Sequence, residues 1–185
     1  MSLRLFIAVN FSLETRKMLL AFRDGLRFRT ERGRFTAPEN LHLTLVFLGN
    51  CDAGQTNAAK RSMNALRFEP FTITINGGGY LDRGRANLVF CELQNDSGRN
   101  QLSQLHAALA LSLSAKGFKL ERRKFWPHLT IGREVVWKEF DDSAAAGGID
   151  FPRLEEAVTS LELMKSERIN GKLTYTAIHS VKAEQ

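Results

Sequence analysis

A four-residue pattern occurs twice in the sequence, and the two copies are separated by almost half of its 185 residues. Residues 42–45 read His-Leu-Thr-Leu and residues 128–131 read His-Leu-Thr-Ile, so the second copy starts 86 residues after the first. By composition alone, two of the four histidines would start such a pattern in on the order of one in a thousand sequences. Each copy also lies in a predicted strand that follows a predicted helix. The repeat therefore favours two similar halves that fold as a unit around a shared groove.

Residues in a strand alternate between its two faces, and both copies of the pattern use this alternation in the same way. His42 and Thr44 share one face of their strand, while leucines anchor the other face; His128 and Thr130 repeat the arrangement. An imidazole with a pKa of about 6.5 can accept or donate a proton near neutrality, and a pair can hold one of each form. A threonine hydroxyl can donate to a phosphate oxygen. Two such faces in one groove predict acid–base chemistry on a phosphate.

Hydrophobic periodicity predicts more strands than helices. Strands are predicted at residues 4–9, 41–48, 71–75, 87–93, 128–132, 158–164 and 173–178. Helices are predicted to follow Ser12, to run from Asp52 to about residue 67, and to run from Ser97 to Gly117. Loops are predicted at residues 77–84 and 144–148, and a hairpin turn is predicted at Asn170-Gly171. Phe47 is predicted to lie on the leucine face of its strand. This order predicts an α+β or mixed α/β class rather than a doubly wound sheet.

The size and charge of the chain narrow the class of protein. A mass of 20.8 kDa suits one domain, or two small halves that share a core, and a hydrophobic fraction of 43% excludes disordered and fibrous classes. Lys and Arg number 26 against 20 Asp and Glu, so the formal charge is +6. This excess favours an anionic partner without identifying one.

Other features of the sequence favour structural interpretations. Cys51 and Cys91 have no Cys-x-x-Cys spacing and are expected to be free thiols, and no acidic residue or cysteine stands at metal-ligand spacing to either motif histidine. The glycines at 77–79 lack the Lys-Ser/Thr of a phosphate loop. His106 and His179 are expected to be structural or surface residues. No signal peptide or membrane-spanning segment is recognisable, so we expect a cytosolic protein.

The two motifs and their flanks resemble those of the two-histidine phosphoesterases. Within that superfamily they are similar to the RNA 2′,3′-cyclic phosphodiesterases, historically called 2′-5′ RNA ligases. The paired motifs are specific for the superfamily, and the similarity covers nearly the whole chain. It is carried by Arg-Leu-Phe-Ile-Ala-Val at 4–9, Asn-Leu-His-Leu-Thr-Leu at 40–45, Phe-Leu-Gly at 47–49, Pro-His-Leu-Thr-Ile-Gly-Arg at 127–133 and Leu-Met-Lys-Ser at 163–166.

The resemblance implies an α+β fold with two similar lobes, a pseudo-two-fold axis, antiparallel sheets that line a central groove, and helices outside. Residues 1–185 would form this single two-lobed phosphoesterase domain. The implied reaction is hydrolysis of a terminal 2′,3′-cyclic phosphate of RNA to a 2′-phosphate, without a metal or another cofactor. His128 would be the base that deprotonates water, and His42 the acid that protonates the departing 3′ oxygen. Thr44 and Thr130 would hold the phosphate oxygens.

Arg133 is a further candidate for phosphate binding, because its planar guanidinium suits a phosphate. Strict alternation places Arg133 on the opposite face of the strand from His128. Its approach to the phosphate therefore depends on the chain turning at Gly132.

The expected partner is RNA with a 2′,3′-cyclic phosphate end, including tRNA fragments, or a small cyclic nucleotide. The basic segments 27–34 and 122–124 would follow an RNA backbone or form a solvated face, and Phe125 and Trp126 would stack on a base or pack in the core. We expect no membrane association and a monomer. Two alternatives are 2′-5′ ligation of tRNA halves by the same site and an RNA-binding module without catalysis.

Overall fold

The computed structural model describes residues 2–138 and 149–184, which contain nine strands and three α-helices. The strands are β1 (Leu3–Asn10), β2 (Thr30–Phe35), β3 (His42–Cys51), β4 (Phe71–Asp82), β5 (Asn87–Leu93), β6 (His128–Trp137), β7 (Arg153–Val158), β8 (Ser160–Ile169) and β9 (Lys172–Lys182). The helices are α1 (Leu13–Phe28), α2 (Ala53–Asn64) and α3 (Ser97–Ser114), and a short 3-10 turn, Pro38–Asn40, precedes β3.

The strands form two sheets, and every pairing between described strands is antiparallel. The first sheet has the order β3-β1-β8-β9, and the second has the order β2-β6-β5-β4-β7. Each sheet contains one of the two motif strands, β3 in the first and β6 in the second. The predicted α+β fold with two similar lobes is therefore confirmed.

The two lobes repeat a pairing register as well as a sequence pattern. In the first sheet Asn10 of β1 lies opposite His42, and in the second sheet Glu92 of β5 lies opposite His128. In both pairs the partner strand precedes the motif strand in the chain and runs antiparallel to it. The similarity of the two halves thus extends from the four motif residues to the strands that hold them.

The main hydrophobic core is continuous between the two sheets and their helices. Fully buried side chains from β1, α1, α3 and β6 all belong to it, including Ile7, Leu19, Leu109 and Leu129. Helix α3 packs on β4 and β3, and α1 packs on β2 and β7. The side chains of Ser12 and Asp52 cap α1 and α2 as predicted, since each accepts a hydrogen bond from the backbone three residues further on.

Strands β2 and β7 were not predicted, because neither sequence alternates regularly between hydrophobic and polar residues. β2 is an edge strand in which three of the six residues are exposed and three carry charged side chains, so its sequence has the composition of a loop. The predicted strand 158–164 is wrong as a single element, since β7 and β8 meet at Thr159 and belong to different sheets. The hairpin turn at Asn170-Gly171 is confirmed, and both residues have positive φ.

The predicted loop at 77–84 is wrong in its first part, since β4 continues to Asp82 and includes residues 77–79, whereas Gly84 does lie in a turn. A Cβ added to Gly78 would lie 2.3 Å from the Phe90 carbonyl oxygen and 2.5 Å from the Phe151 ring. Glycine is needed here for close packing rather than for a turn. Helix α2 ends at Asn64, three residues before its predicted end. The predicted loop at 144–148 lies outside the described residues.

Gly98 fixes the distance between α3 and β4, and its substitution is expected to destabilise the fold. A Cβ at Gly98 would lie 1.9 Å from the Thr72 carbonyl oxygen, so Gly98→Ala must move backbone and should cost about 2 kcal/mol. Gly25 lies in α1 with nothing within 4 Å of an added Cβ, so Gly25→Ala should gain about 0.5 kcal/mol. Urea unfolding of both variants measures this contrast. A Gly98→Ala protein as stable as the parent would contradict the account.

Candidate active site

Both motif histidines are oriented by the same backbone contact. Nδ1 of His42 donates to the Asn40 carbonyl oxygen at 2.7 Å, and Nδ1 of His128 donates to the Trp126 carbonyl oxygen at 2.9 Å. In each lobe the carbonyl belongs to the residue two positions before the histidine. Because a carbonyl only accepts, Nδ1 carries a proton in both rings, and Nε2 is the nitrogen that can exchange one.

The two threonines lie on the same face as their histidines, as predicted. Oγ1 of Thr44 lies 2.9 Å from Nε2 of His42 and donates to it when the ring is neutral. Oγ1 of Thr130 accepts a long contact of 3.5 Å from the Arg133 guanidinium. The backbone carbonyl of Thr130 accepts a hydrogen bond of 2.8 Å from the hydroxyl of Thr36, the residue that follows the edge strand β2. The Thr44 hydroxyl thus contacts its histidine, and the Thr130 hydroxyl contacts Arg133.

A bulge in β6 brings Arg133 to the face that carries the motif side chains. Gly132 pairs with Val89 while Thr130 pairs with the next residue of β5, so Ile131 is the extra residue. Ile131 and Gly132 are consecutively buried, and Arg133 is exposed. The bulge shifts the alternation of side chains between the two faces by one position. Arg133 therefore lies on the face of the motif residues and contacts Thr130. The predicted end of the strand at Gly132 is wrong, because β6 continues to Trp137.

The first lobe has the same bulge at the corresponding position. Val46 pairs with Ile7, and Thr44 pairs with the next residue of β1, so Leu45 is extra. The bulge exposes Phe47, which has 57% of its surface accessible and lies 6.0 Å from the Phe6 ring. The prediction that Phe47 shares the leucine face is therefore wrong. By the repeat, Phe47 occupies in the first lobe the position that Arg133 occupies in the second.

Charge from the second lobe acts on the histidine of the first lobe. Burial lowers the pKa of His42, the hydrogen bond to the Asn40 carbonyl opposes this shift, and the Arg133 charge lowers the pKa further. Arg133 also acts on Tyr175 of β9, whose pKa is raised by burial. The strands β3 and β6 are in contact. Arg133 is therefore close enough to the first lobe to influence both rings across the groove.

Aromatic side chains surround each motif histidine, and most of them were missed from the sequence. The rings of Phe6 and Tyr175 lie 4.8 and 5.2 Å from that of His42. Trp126 stacks on His128 at 4.2 Å. Most of these contacts join strands far apart in the chain, so no local pattern predicts them, although the position of Trp126 two residues before a motif histidine was a usable signal.

Trp126 and Phe125 have different places in the structure. Trp126 lies against the candidate site, and its Nε1 donates to a carboxylate oxygen of Glu92 at 3.1 Å. Phe125 stacks on His106 of α3 with a centroid distance of 4.1 Å. Nδ1 of His106 also contacts the Leu45 carbonyl oxygen at 2.9 Å. The structural interpretation of His106 and the core interpretation of Phe125 agree with these contacts.

The fourth histidine and the two cysteines have no role in the proposed chemistry. His179 contacts the Asn64 side chain at 2.7 Å. Cys51 and Cys91 are buried and free, and burial raises the pKa of the Cys91 thiol to about 12. Residues 2–138 and 149–184 contain no group of three or more His, Cys, Asp and Glu side chains that could hold a metal ion. Among the helices of the same residues, none combines the length and apolarity needed to cross a bilayer.

Comparison with known proteins places the chain in a family. The model of the 2′-5′ RNA ligase superfamily matches residues 21–170. A relative from Thermotoga maritima, named RNA 2′,3′-cyclic phosphodiesterase, is 32% identical over 166 residues, which cover 89% of this chain and 87% of the relative. A relative of the same name from Escherichia coli is 30% identical over 177 residues, covering 95% and 93% of the two chains.

Solved structures give the same result over the full length. The crystal structure of Escherichia coli LigT complexed with 3′-AMP has a TM-score of 0.81 and 28% identity and covers 100% of both chains. The apo form of that protein has a TM-score of 0.80 and covers 100% of this chain and 99% of its own. With its repeated motif strands, matched bulges and paired imidazoles, the chain belongs to the 2′-5′ RNA ligase superfamily.

Proposed function

We propose that this protein is an RNA 2′,3′-cyclic phosphodiesterase that hydrolyses a terminal 2′,3′-cyclic phosphate to a 2′-phosphomonoester. The observation that carries the proposal is the pair of matched imidazoles, each with Nδ1 held by a backbone carbonyl and Nε2 available for proton exchange. The relatives from Thermotoga maritima and Escherichia coli carry this activity in their names, and LigT of Escherichia coli was crystallised with the nucleotide 3′-AMP. A binding module without catalysis would not need either imidazole to be held in one tautomer.

The proposed reaction is an in-line displacement at phosphorus. Nε2 of His128 takes a proton from a water molecule, and the water oxygen forms a bond to phosphorus. The bond from phosphorus to the 3′ oxygen breaks on the opposite side, and that oxygen takes the proton from Nε2 of His42 in its charged form. The pair has then exchanged protonation states and returns to its starting state through solvent. Each lobe supplies one side of this displacement.

The two imidazoles have equivalent backbone contacts, so these contacts do not distinguish the acid from the base. The assignment of the base to His128 and of the acid to His42 therefore follows the family resemblance. The lowered pKa of His42 favours the neutral form of its ring. A bound phosphate anion would raise that pKa by favouring the charged imidazole. Substrate binding would therefore help to protonate the acid. The pH profile of the reaction belongs to the coupled pair rather than to one ring.

Thr44, Thr130 and Arg133 are proposed to hold the non-bridging phosphate oxygens. The Thr44 hydroxyl lies beside the His42 imidazole, and the Thr130 hydroxyl accepts a long contact from the Arg133 guanidinium, which also acts electrostatically on His42. These donors would stabilise the extra negative charge that the phosphoryl oxygens carry during displacement. General acid–base catalysis together with these donors requires no metal ion.

The effect of Arg133 on His42 can be measured directly. Arg133→Gln removes a positive charge that lowers the pKa of His42, so that pKa is expected to rise in the variant. Proton NMR titration of the His42 ring, in the protein without substrate, measures the change. Arg61→Gln, which removes an exposed charge from α2, is the matched control. An unchanged or lower His42 pKa in Arg133→Gln would show that the guanidinium does not act on this ring.

A substrate comparison tests the proposed activity against its alternatives. The protein is incubated in EDTA with 2′,3′-cyclic, 3′,5′-cyclic and 2′-5′-linked nucleotides, and with tRNA halves. We expect turnover of the 2′,3′-cyclic substrate. Joining of tRNA halves in preference to hydrolysis would favour 2′-5′ ligation, after which the superfamily is named. Tight, salt-sensitive RNA binding without turnover of any of these substrates would favour the binding module.

We further propose that residues 1–185 act as one domain, as a monomer and in the cytosol. The continuous core joins both lobes, and each lobe supplies one histidine, so neither half holds a complete site alone. The buried free thiols Cys51 and Cys91 suit a reducing compartment. Light scattering should give a mass near 20.8 kDa in solution. A mass of twice that value would contradict the monomer.

A further inference from the structure

A basic cleft of about 420 Å³ opens at the end of the second sheet that is distant from His128. It lies between the edge strand β2, the turn that joins β4 to β5, and the far part of β6. Its lining residues are Arg32, Gly33, Arg34, Arg85, Ala86 and Glu134. Three guanidinium groups and one carboxylate give this arginine cleft a formal charge of +2. Nothing in the proposed hydrolysis of the cyclic phosphate uses these residues.

Arg133 is a neighbour of both the arginine cleft and the candidate active site. In the pairing of β2 with β6, Arg34 lies directly opposite Arg133, so the two residues are neighbours at a strand spacing of about 4.8 Å. Arg133 in turn contacts Thr130. Arg133 therefore lies between the motif threonine and the first arginine of the cleft.

Two of the cleft arginines are available to a ligand. Arg34 forms an ion pair with Glu134, which lies beside Arg133 and has a positive φ of 54°. Arg32 and Arg85 are without ion-pair partners among residues 2–138 and 149–184. An unpaired guanidinium presents a planar set of donors that matches the oxygens of a phosphate group. The cleft thus offers two unpaired phosphate ligands and a third that Glu134 holds in place.

We infer that the arginine cleft binds the phosphodiester backbone of the RNA strand on the 5′ side of the cyclic phosphate. This inference rests on the proposed function, which places the 3′ end of the strand at the two histidines. The cleft begins six residues along β6 from His128, at Glu134, which corresponds to about 20 Å of extended strand. A mononucleotide held at the histidines does not extend this far, whereas an oligonucleotide does. Contacts to phosphates carry no base preference, so the cleft selects for strand length rather than sequence.

The test compares a ten-nucleotide RNA that ends in a 2′,3′-cyclic phosphate with a nucleoside 2′,3′-cyclic phosphate. In the double variant Arg32→Ala/Arg85→Ala, KM for the ten-nucleotide RNA should rise about tenfold and kcat should stay within twofold. Both constants for the nucleoside substrate should remain at the parental values. The slope of log kcat/KM for the RNA against log salt should become shallower by about 1.4, because two single-strand phosphate contacts are lost.

Two further variants control for charge and position. Arg61→Ala/Lys116→Ala removes the same charge from the helical side of the molecule and should leave the RNA KM unchanged. Arg32→Lys/Arg85→Lys keeps the charge and should keep most of the salt dependence. Equal effects of Arg32→Ala/Arg85→Ala on both substrates, or no effect on either, would overturn the inference while the hydrolysis itself stands. Failure of the parent protein to hydrolyse the nucleoside substrate would instead count against the proposed function.

Discussion

Replacing either His42 or His128 with alanine is expected to lower kcat for 2′,3′-cyclic phosphate hydrolysis about 1000-fold. Each substitution removes one proton-transfer group, and the remaining histidine cannot act on both sides of phosphorus at once. Loss of both histidines should cost little more than loss of one, because the two act as a unit. Steady-state hydrolysis of a cyclic-phosphate RNA by the two single variants and the double variant measures these effects.

His179 provides the control for this experiment. Its imidazole contacts Asn64 on the outside of the fold rather than the groove, so His179→Ala should keep near-parental turnover. Thermal unfolding should show that the His42 and His128 variants are folded, since both side chains are only partly buried. Retention of more than a tenth of the parental kcat by either His42→Ala or His128→Ala would contradict the two-histidine mechanism.

Arg133→Ala is expected to lower kcat about 100-fold, with a smaller effect on KM. The guanidinium lies beside Thr130 and acts electrostatically on His42, so in the proposed reaction its positive charge would stabilise the negative charge that the phosphoryl oxygens gain. Arg133→Lys restores the charge without the planar pair of donors and should recover part of the lost rate. Steady-state kinetics on a nucleoside 2′,3′-cyclic phosphate isolate this effect from contacts along the RNA.

Arg61→Ala serves as the matched control for Arg133→Ala, because it removes an arginine from α2 outside the groove. An increase in KM with unchanged kcat would indicate that Arg133 contributes equally to binding of the substrate and of the transition state. That result would move Arg133 from stabilisation of the reaction to simple phosphate binding. An unchanged kcat/KM would remove Arg133 from the site altogether.

The motif histidines and threonines could be placed from the sequence because local strand geometry alone determines their orientation. Alternation put His42 with Thr44 and His128 with Thr130, and the structure keeps both pairs on shared faces. The repeat then predicted two similar lobes, since two copies of one supersecondary unit pack about a common groove. For these four residues, the strand face on which the side chain lies does not depend on contacts with residues far away in the chain.

Arg133 and Phe47 show where local reasoning fails. Each lies beyond a bulge at the residue that follows the motif threonine, and each is turned to the opposite face from the one that alternation predicts. A bulge is a property of the pairing between two strands, so the sequence of one strand does not reveal it. The sequence did identify Gly132 as the place where the chain would have to depart from regular alternation.

Other features depend on contacts between residues far apart in the chain. Tyr175 lies against His42 because β8 and β9 extend the first sheet after more than 100 intervening residues. Gly78 is glycine because the Phe90 backbone and the Phe151 ring approach it closely. β2 is a strand because β6 offers it a pairing edge, and its own charged sequence has no strand pattern. Contacts between distant parts of the chain therefore determine all three features.

Identification of the phosphate end that the enzyme produces tests the central claim most directly. A short RNA with a terminal 2′,3′-cyclic phosphate is incubated with the protein in EDTA, and phosphorus NMR distinguishes a 2′-phosphomonoester from a 3′-phosphomonoester. In-line attack with protonation of the 3′ oxygen by His42 predicts the 2′-phosphomonoester as the product, at a rate that EDTA does not change. Formation of the 3′-phosphomonoester, or loss of turnover in EDTA, would contradict the account.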